Sequence, residues 1–110
     1  VEYAFSRLKE IEKTNALTVI LILDAGNRGF RNRQMTETDG VKAGSVGQME
    51  GIVLDAAKNH GLSIIDLSDV FYDDYQENEI PFAFKHDGHW NSYAHKVVGK
   101  RLADFIRKSL

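Results

Sequence analysis

Apolar positions recur along this chain in two rhythms, a spacing of three to four residues and an unbroken run, and each rhythm predicts a different element. Phe5, Leu8 and Ile11 stand three apart with charges between them, which predicts a short amphipathic helix over Tyr3 to Lys13, broken at Thr14-Asn15. Leu17 to Leu23 is then a continuous β-branched and aliphatic run, the pattern of a strand buried on both faces in a parallel sheet. Ser45-Val46-Gly47-Gln48 has the form of a capping box, and Met49, Ile52, Val53, Ala56 and Ala57 follow as a helical stripe. Asn59-His60-Gly61 ends that stripe with a glycine suited to the left-handed position. Leu62 to Leu67 predicts a second buried strand, and Ser68-Asp69 a cap for a short helix through Val70, Phe71 and Tyr75. Glu77 to Lys85, with Pro81 beside Phe82 and Phe84, reads as a loop, continued by the polar residues up to Trp90. Asn91 or Ser92 caps a last helix whose apolar face carries Ala94, Val97, Val98, Leu102, Phe105 and Ile106.

The order of elements alternates helix and strand, which favours parallel strands covered by helices. Two strands do not make a stable open sheet. The pattern therefore requires further strands, placed N-terminal to Val1, or the assembly of two chains as a homodimer. Between the first strand and the capping box lies a polar stretch, Asp24 to Gly44, with Gly26, Gly29, Gly40 and Gly44 and with Arg28, Arg31 and Arg33. It leaves the carboxyl end of a predicted parallel strand, where α/β proteins place ligand-binding loops. A surface excursion without function has equal standing.

Composition narrows the function classes. At 110 residues, with 43% hydrophobic and 27% charged residues, the chain is one globular domain at most. Fourteen basic against sixteen acidic residues give a net charge of −2, which offers nothing to a nucleic-acid partner. The absence of cysteine removes disulfides, thiol nucleophiles and thiolate metal sites together. The longest apolar run is far too short to span a bilayer. Val1-Glu2-Tyr3 enters a helical pattern without the segments of a secretory signal, and a start in mid-pattern reads as a fragment or a processed product.

The chemistry concentrates in one window. Three of the four histidines, His86, His89 and His95, fall within ten residues that also hold Asp87, Trp90 and Asn91. An Asp and a His one residue apart on a polar loop suit general-base work. The carboxylate fixes one imidazole nitrogen and leaves the other free to take a proton. Asp87 and His89 are the candidate catalytic residues. The bland alternatives are an Asp-Gly turn for Asp87 and a loop histidine for His89. Trp90 is expected to pack the loop onto the core, Asn91 to cap the helix, and His95 to serve structure by hydrogen-bonding the loop. Two other classes compete: a divalent-metal site from His86, Asp87, His89 and His95, and a noncatalytic module that binds an anion through the Arg- and Gly-containing stretch.

Asp87-Gly88-His89-Trp90-Asn91-Ser92-Tyr93-Ala94-His95-Lys96-Val97-Val98 resembles the last block of the SGNH (GDSL-like) hydrolases, and Gly61 to Leu67 with Val70-Phe71 is similar to that family's penultimate strand. The resemblance covers the chain from end to end and matches it to the family's C-terminal half. It implies the C-terminal portion, over 1–110, of a single three-layer α/β/α sandwich domain with a parallel, flavodoxin-like sheet. It further implies a serine esterase in which Asp87 orients the imidazole and His89 is the general base and acid. The substrate would be an ester of a lipid, an acylated carbohydrate or a small molecule, with no cofactor. A polysaccharide O-acetyltransferase-like protein is the neighbouring alternative. Many family members place two residues between Asp and His, whereas here only Gly88 intervenes. The family's Gly-Asp-Ser and Gly-x-Asn-Asp blocks do not occur, and none of Ser6, Ser45, Ser63, Ser68, Ser92 and Ser109 stands in a predicted strand-to-helix nucleophile setting. The nucleophile is therefore expected upstream, and these residues alone are expected to be inactive.

Overall fold

The computed structural model describes residues 1–24, 45–84 and 87–109. The predicted loop beyond Asp24, with its three arginines, lies outside the described residues, as do His86 and the side chains of the Ser45–Gln48 capping box. Among the described residues there are four helices and two two-stranded sheets.

Helix α1 spans Glu2–Asn15 and ends at Ala16, which takes the left-handed conformation at φ 50°. Asn15 does not break the helix as its residue type suggests, because its Nδ2 donates back to the Ile11 carbonyl at 2.9 Å. The predicted apolar stripe is present, yet no residue of α1 is buried. Strand β1 covers Ile20–Leu23, only the second half of the predicted run. The first half is instead tied by its backbone to α1. The Leu17 N–H reaches the Glu12 carbonyl, and the Val19 N–H donates to the Glu12 side chain at 2.9 Å. Nor is the strand buried on both faces, since Ile22 is 45% exposed.

Helix α2 (Ser45–Asn59) closes as its sequence predicts. Gly61 is left-handed at φ +66°, its N–H donates to the Lys58 carbonyl, and the Leu62 N–H donates to that of Ala57. This is the paired closure of a Schellman motif. Strand β2 (Ser63–Asp66) passes without a loop into helix α3 (Leu67–Asn78). The cap is Asp66, not Ser68 or Asp69: its side chain accepts from the Ser68 N–H at 2.9 Å. β1 and β2 pair in parallel, Ile20 opposite Ser63 through Leu23 opposite Asp66.

The region expected to be a loop forms a second sheet. β3 (Ala83–Phe84) runs antiparallel to β4 (Asp87–Trp90), which leads through Asn91 into helix α4 (Ser92–Ser109). This overturns the three-layer α/β/α sandwich. The parallel pair has no third strand among the described residues, and the second sheet is a separate antiparallel ribbon. The helices outweigh both sheets in length, and α3 packs against α4 to make the core. Alternation of helix and strand along a sequence establishes a parallel pair, but it does not say how far the sheet extends.

The core lies between β2, α3 and α4. Ile65, Leu67, Phe71, Phe82, Ala94 and Val98 are buried together, with Trp90 and Tyr93 packed against them. The Phe71 and Phe82 rings stack at 4.4 Å between centroids, and Trp90 meets Phe71 edge-on at 5.9 Å. Burial of each such ring contributes about 1.5–3 kcal/mol. The aromatic corner therefore anchors β4 through Trp90, as the sequence predicts for that residue.

Candidate functional site

Successive side chains of a strand point to opposite faces. In β4 this sends Trp90 inward to Phe71 and turns Asp87 and His89 together toward solvent. Asp87 Oδ1 accepts the His89 backbone N–H at 3.0 Å and is also in contact with His89 Nδ1. One carboxylate oxygen thus fixes both the backbone and the ring of the same histidine. The His89 N–H first, and its ring second, hold the Asp87 carboxyl below the ordinary aspartate range. The His89 side chain is 88% exposed and that of Asp87 55%. With Nδ1 engaged by Asp87, Nε2 points away from it and has no hydrogen-bond partner among the described residues.

Asn91 holds this strand in place. Its Nδ2 donates to the Pro81 carbonyl at 2.9 Å and to the Ala83 carbonyl at 3.4 Å. Its Oδ1 accepts the Ala94 N–H at 2.9 Å, and its own N–H donates to the Phe82 carbonyl. The expected helix cap is therefore also the tie between the Pro81–Ala83 segment and the start of α4. Tyr93 adds a second tie, its hydroxyl donating to Asp74 Oδ2 at 2.7 Å. This bond and burial raise the Tyr93 pKa. Sequence reasoning gave Asn91 only the capping half of its role. The signal for the rest is Pro81 followed by Phe82, one apolar anchor in a segment without a helix of its own.

His95 serves structure by ring contact with Trp90, edge-on at 5.2 Å, rather than through the expected hydrogen bond to the loop. It does not join Asp87 and His89. Among the described residues no group of three or more His, Cys, Asp or Glu is placed to hold a metal ion. Ser68 departs from the sequence reading, because it does stand one residue past a strand-to-helix junction. Its side chain is buried at 6% exposure and its Oγ has no hydrogen-bond partner among the described residues. A hydroxyl enclosed in this way is not offered to a substrate. The site as described can orient an imidazole and move a proton. Among the described residues, the only side chain in hydrogen-bond contact with the His89 ring is Asp87, so no nucleophile is engaged there. Among the described residues, no helix is long and apolar enough to cross a membrane.

No family model matches the chain, and no curated protein or solved structure is matched by it either.

Proposed function

We propose that Asp87 and His89 are the base half of an acyl-transfer site, and that the protein they belong to is an ester hydrolase of the SGNH type. The observation that carries this reading is the double engagement of Asp87 with His89, which commits Nδ1 and leaves Nε2 free on an exposed strand face. The Asp-Gly-His-Trp-Asn run adds the family resemblance. The reading makes no use of a sandwich fold. Nε2 of His89 takes the proton of a serine hydroxyl supplied from outside these residues, and the serine oxygen attacks the ester carbonyl. His89 then passes that proton to the departing alcohol, leaving an acyl-enzyme. Water, deprotonated by the same nitrogen, releases the acid. Asp87 stabilises the imidazolium formed in each half-reaction. The substrate class is an ester of a lipid, an acylated carbohydrate or a small molecule.

The test uses the protein expressed from its own start codon, assayed on p-nitrophenyl acetate and labelled with a fluorophosphonate. Hydrolysis and labelling are expected. Asp87→Asn should lower kcat by about 10⁴-fold if it acts as a triad carboxylate does, and His89→Ala should abolish turnover with the fold intact. Hydrolysis unchanged by His89→Ala, or no labelling and no hydrolysis in the wild type, overturns the proposal.

A further inference from the structure

A groove of about 640 Å³ is lined by residues of β2 and by none of β1. Three consecutive strand residues, Ile64, Ile65 and Asp66, line it. Because successive side chains alternate between faces, one face of the strand cannot present all three, so what the groove exposes is the strand's edge. The walls agree with this. Leu54 of α2 and Val97 of α4 line the groove together with the strand, as expected of an edge that both helices border. Among the described residues β2 has no strand partner there. Some of its N–H and C=O groups therefore face the groove with no ladder to join.

The lining is also strongly one-signed, with six carboxylates against two cations, Lys100 and Arg101. Asp66 and Asp74 already accept hydrogen bonds, from the Ser68 N–H and the Tyr93 hydroxyl. Asp73 and Glu77 differ. They stand four residues apart on one stripe of α3, are exposed, and have no ion-pair partner among the described residues. The occupant that fits combines two properties: an extended backbone to complete the ladder, and positive charge at its flanks to meet Asp73 and Glu77. A second copy of this chain is a poor occupant, because it brings the same acidic wall to the same edge. We propose that the β2 edge is a docking site for an extended, basic peptide segment of another protein, which adds to the parallel pair as a third strand. Main-chain hydrogen bonds supply the attachment and the carboxylates select the sequence. The site is separate from Asp87 and His89, neither of which lines the groove, and it stands or falls independently of the proposed hydrolase activity.

The experiment is an NMR titration of the chain with three synthetic peptides, together with sedimentation of the chain alone. The first peptide is Lys-Val-Thr-Val-Lys-Lys, the second has glutamate in place of each lysine, and the third is the basic peptide with alternate backbone nitrogens methylated. The basic peptide should shift the amide signals of Ile64 and Ile65. The acidic and methylated peptides should not. The double variant Asp73→Asn, Glu77→Gln should weaken the basic peptide by roughly three- to tenfold at low salt, with the fold unchanged. Equal binding of the methylated peptide means adsorption by charge alone and overturns the proposal. No binding of the basic peptide, or equal binding of the acidic one, overturns it too. A dimer that the double variant strengthens and the basic peptide does not dissociate would put a second copy at this edge, and would also overturn it.

Discussion

The aromatic corner and helix α1 are attached to the same small protein by opposite means. In the corner, Phe71, Phe82, Ala94 and Val98 are buried and the rings of Trp90 and Tyr93 close over them. Helix α1 buries none of its residues fully, Phe5 and Leu8 being half-buried, and it adds a set of polar contacts. Lys9 Nζ donates to the Gly61 carbonyl at 3.0 Å and to Glu12 at 2.6 Å, Glu12 accepts the Val19 N–H, and Glu2 meets His60 at 2.6 Å. Apolar burial is not weakened by charge screening or by protonation, whereas exposed ion pairs are screened and weak. The two regions should therefore fail under different stresses. The candidate site sits on the well-anchored one. An exposed strand face can hold a histidine in register only if its opposite face is fixed, and Trp90 fixes it.

The largest effect expected of a single change is in the corner. Phe71→Ala removes the ring that both Phe82 and Trp90 contact, and should cost about 3–5 kcal/mol in urea unfolding. It should also release β4 and broaden the His89 ring signals. A cost comparable to that of a surface substitution would mean the corner does not carry the fold. Asn91→Ala comes next, at about 1–2 kcal/mol for the lost cap and the stranded carbonyls. Asn91→Asp sharpens the comparison. It keeps the acceptor for the Ala94 N–H and loses the donors to Pro81 and Ala83, so α4 should stay capped while hydrogen exchange in β3 and β4 speeds up.

The same contrast explains what could be read in advance. Gly61, Asn91 and Trp90 were legible because their roles are local: a left-handed closure, a cap, a large ring beside a helix start. Leu17 to Val19 carry a strand pattern but are not strand, because an apolar run does not reveal that Glu12, on the preceding helix, captures its backbone. The β3–β4 ribbon was missed because Asp-Gly-His-Trp alternates only once between polar and apolar, too short a signal to separate a strand from a loop. The sandwich is implied by the SGNH resemblance; the alternation of elements alone favours covered parallel strands, and that pattern fixes neighbours rather than sheet size. The spacing of Asp87 and His89 announced that they would meet. It could not say whether a nucleophile would join them, since that depends on residues distant in sequence.

Acid separates the two regions at smaller cost. The Lys9 ammonium, with help from the Val19 N–H, holds the Glu12 carboxyl below the ordinary glutamate range. A carboxyl whose folded pKa is depressed stabilises the fold above its unfolded pKa, and that stability is lost as pH falls through the folded value. Lowering the pH below the ordinary glutamate range should therefore loosen α1 first, seen as faster amide exchange over Glu2–Asn15 while the near-ultraviolet signal of the aromatic corner persists. Glu12→Gln should produce the same loosening at neutral pH. Simultaneous loss of both signals would show that α1 and the corner unfold as one unit.

The smallest effect has the opposite sign. Glu50, on α2, is pushed up in pKa by burial and by the negative charge of Asp66, and its Oε1 is enclosed without a hydrogen-bond partner among the described residues. A carboxyl raised in the folded state binds its proton more tightly there than in the unfolded chain. Its contribution is therefore complete below the unfolded pKa and is lost as pH rises through the raised value. Above the raised value the charged Glu50 is a cost. Glu50→Gln keeps the shape, removes the charge beside Asp66 and should stabilise the protein by roughly a few tenths of a kcal/mol, reduced by partial solvent screening. The gain should shrink in urea melts as the pH is lowered and the wild-type carboxyl takes up its proton. Destabilisation at neutral pH would instead mean that the Glu50 carboxylate is engaged by a cation, and that this end of α2 is held by charge pairing, as α1 is.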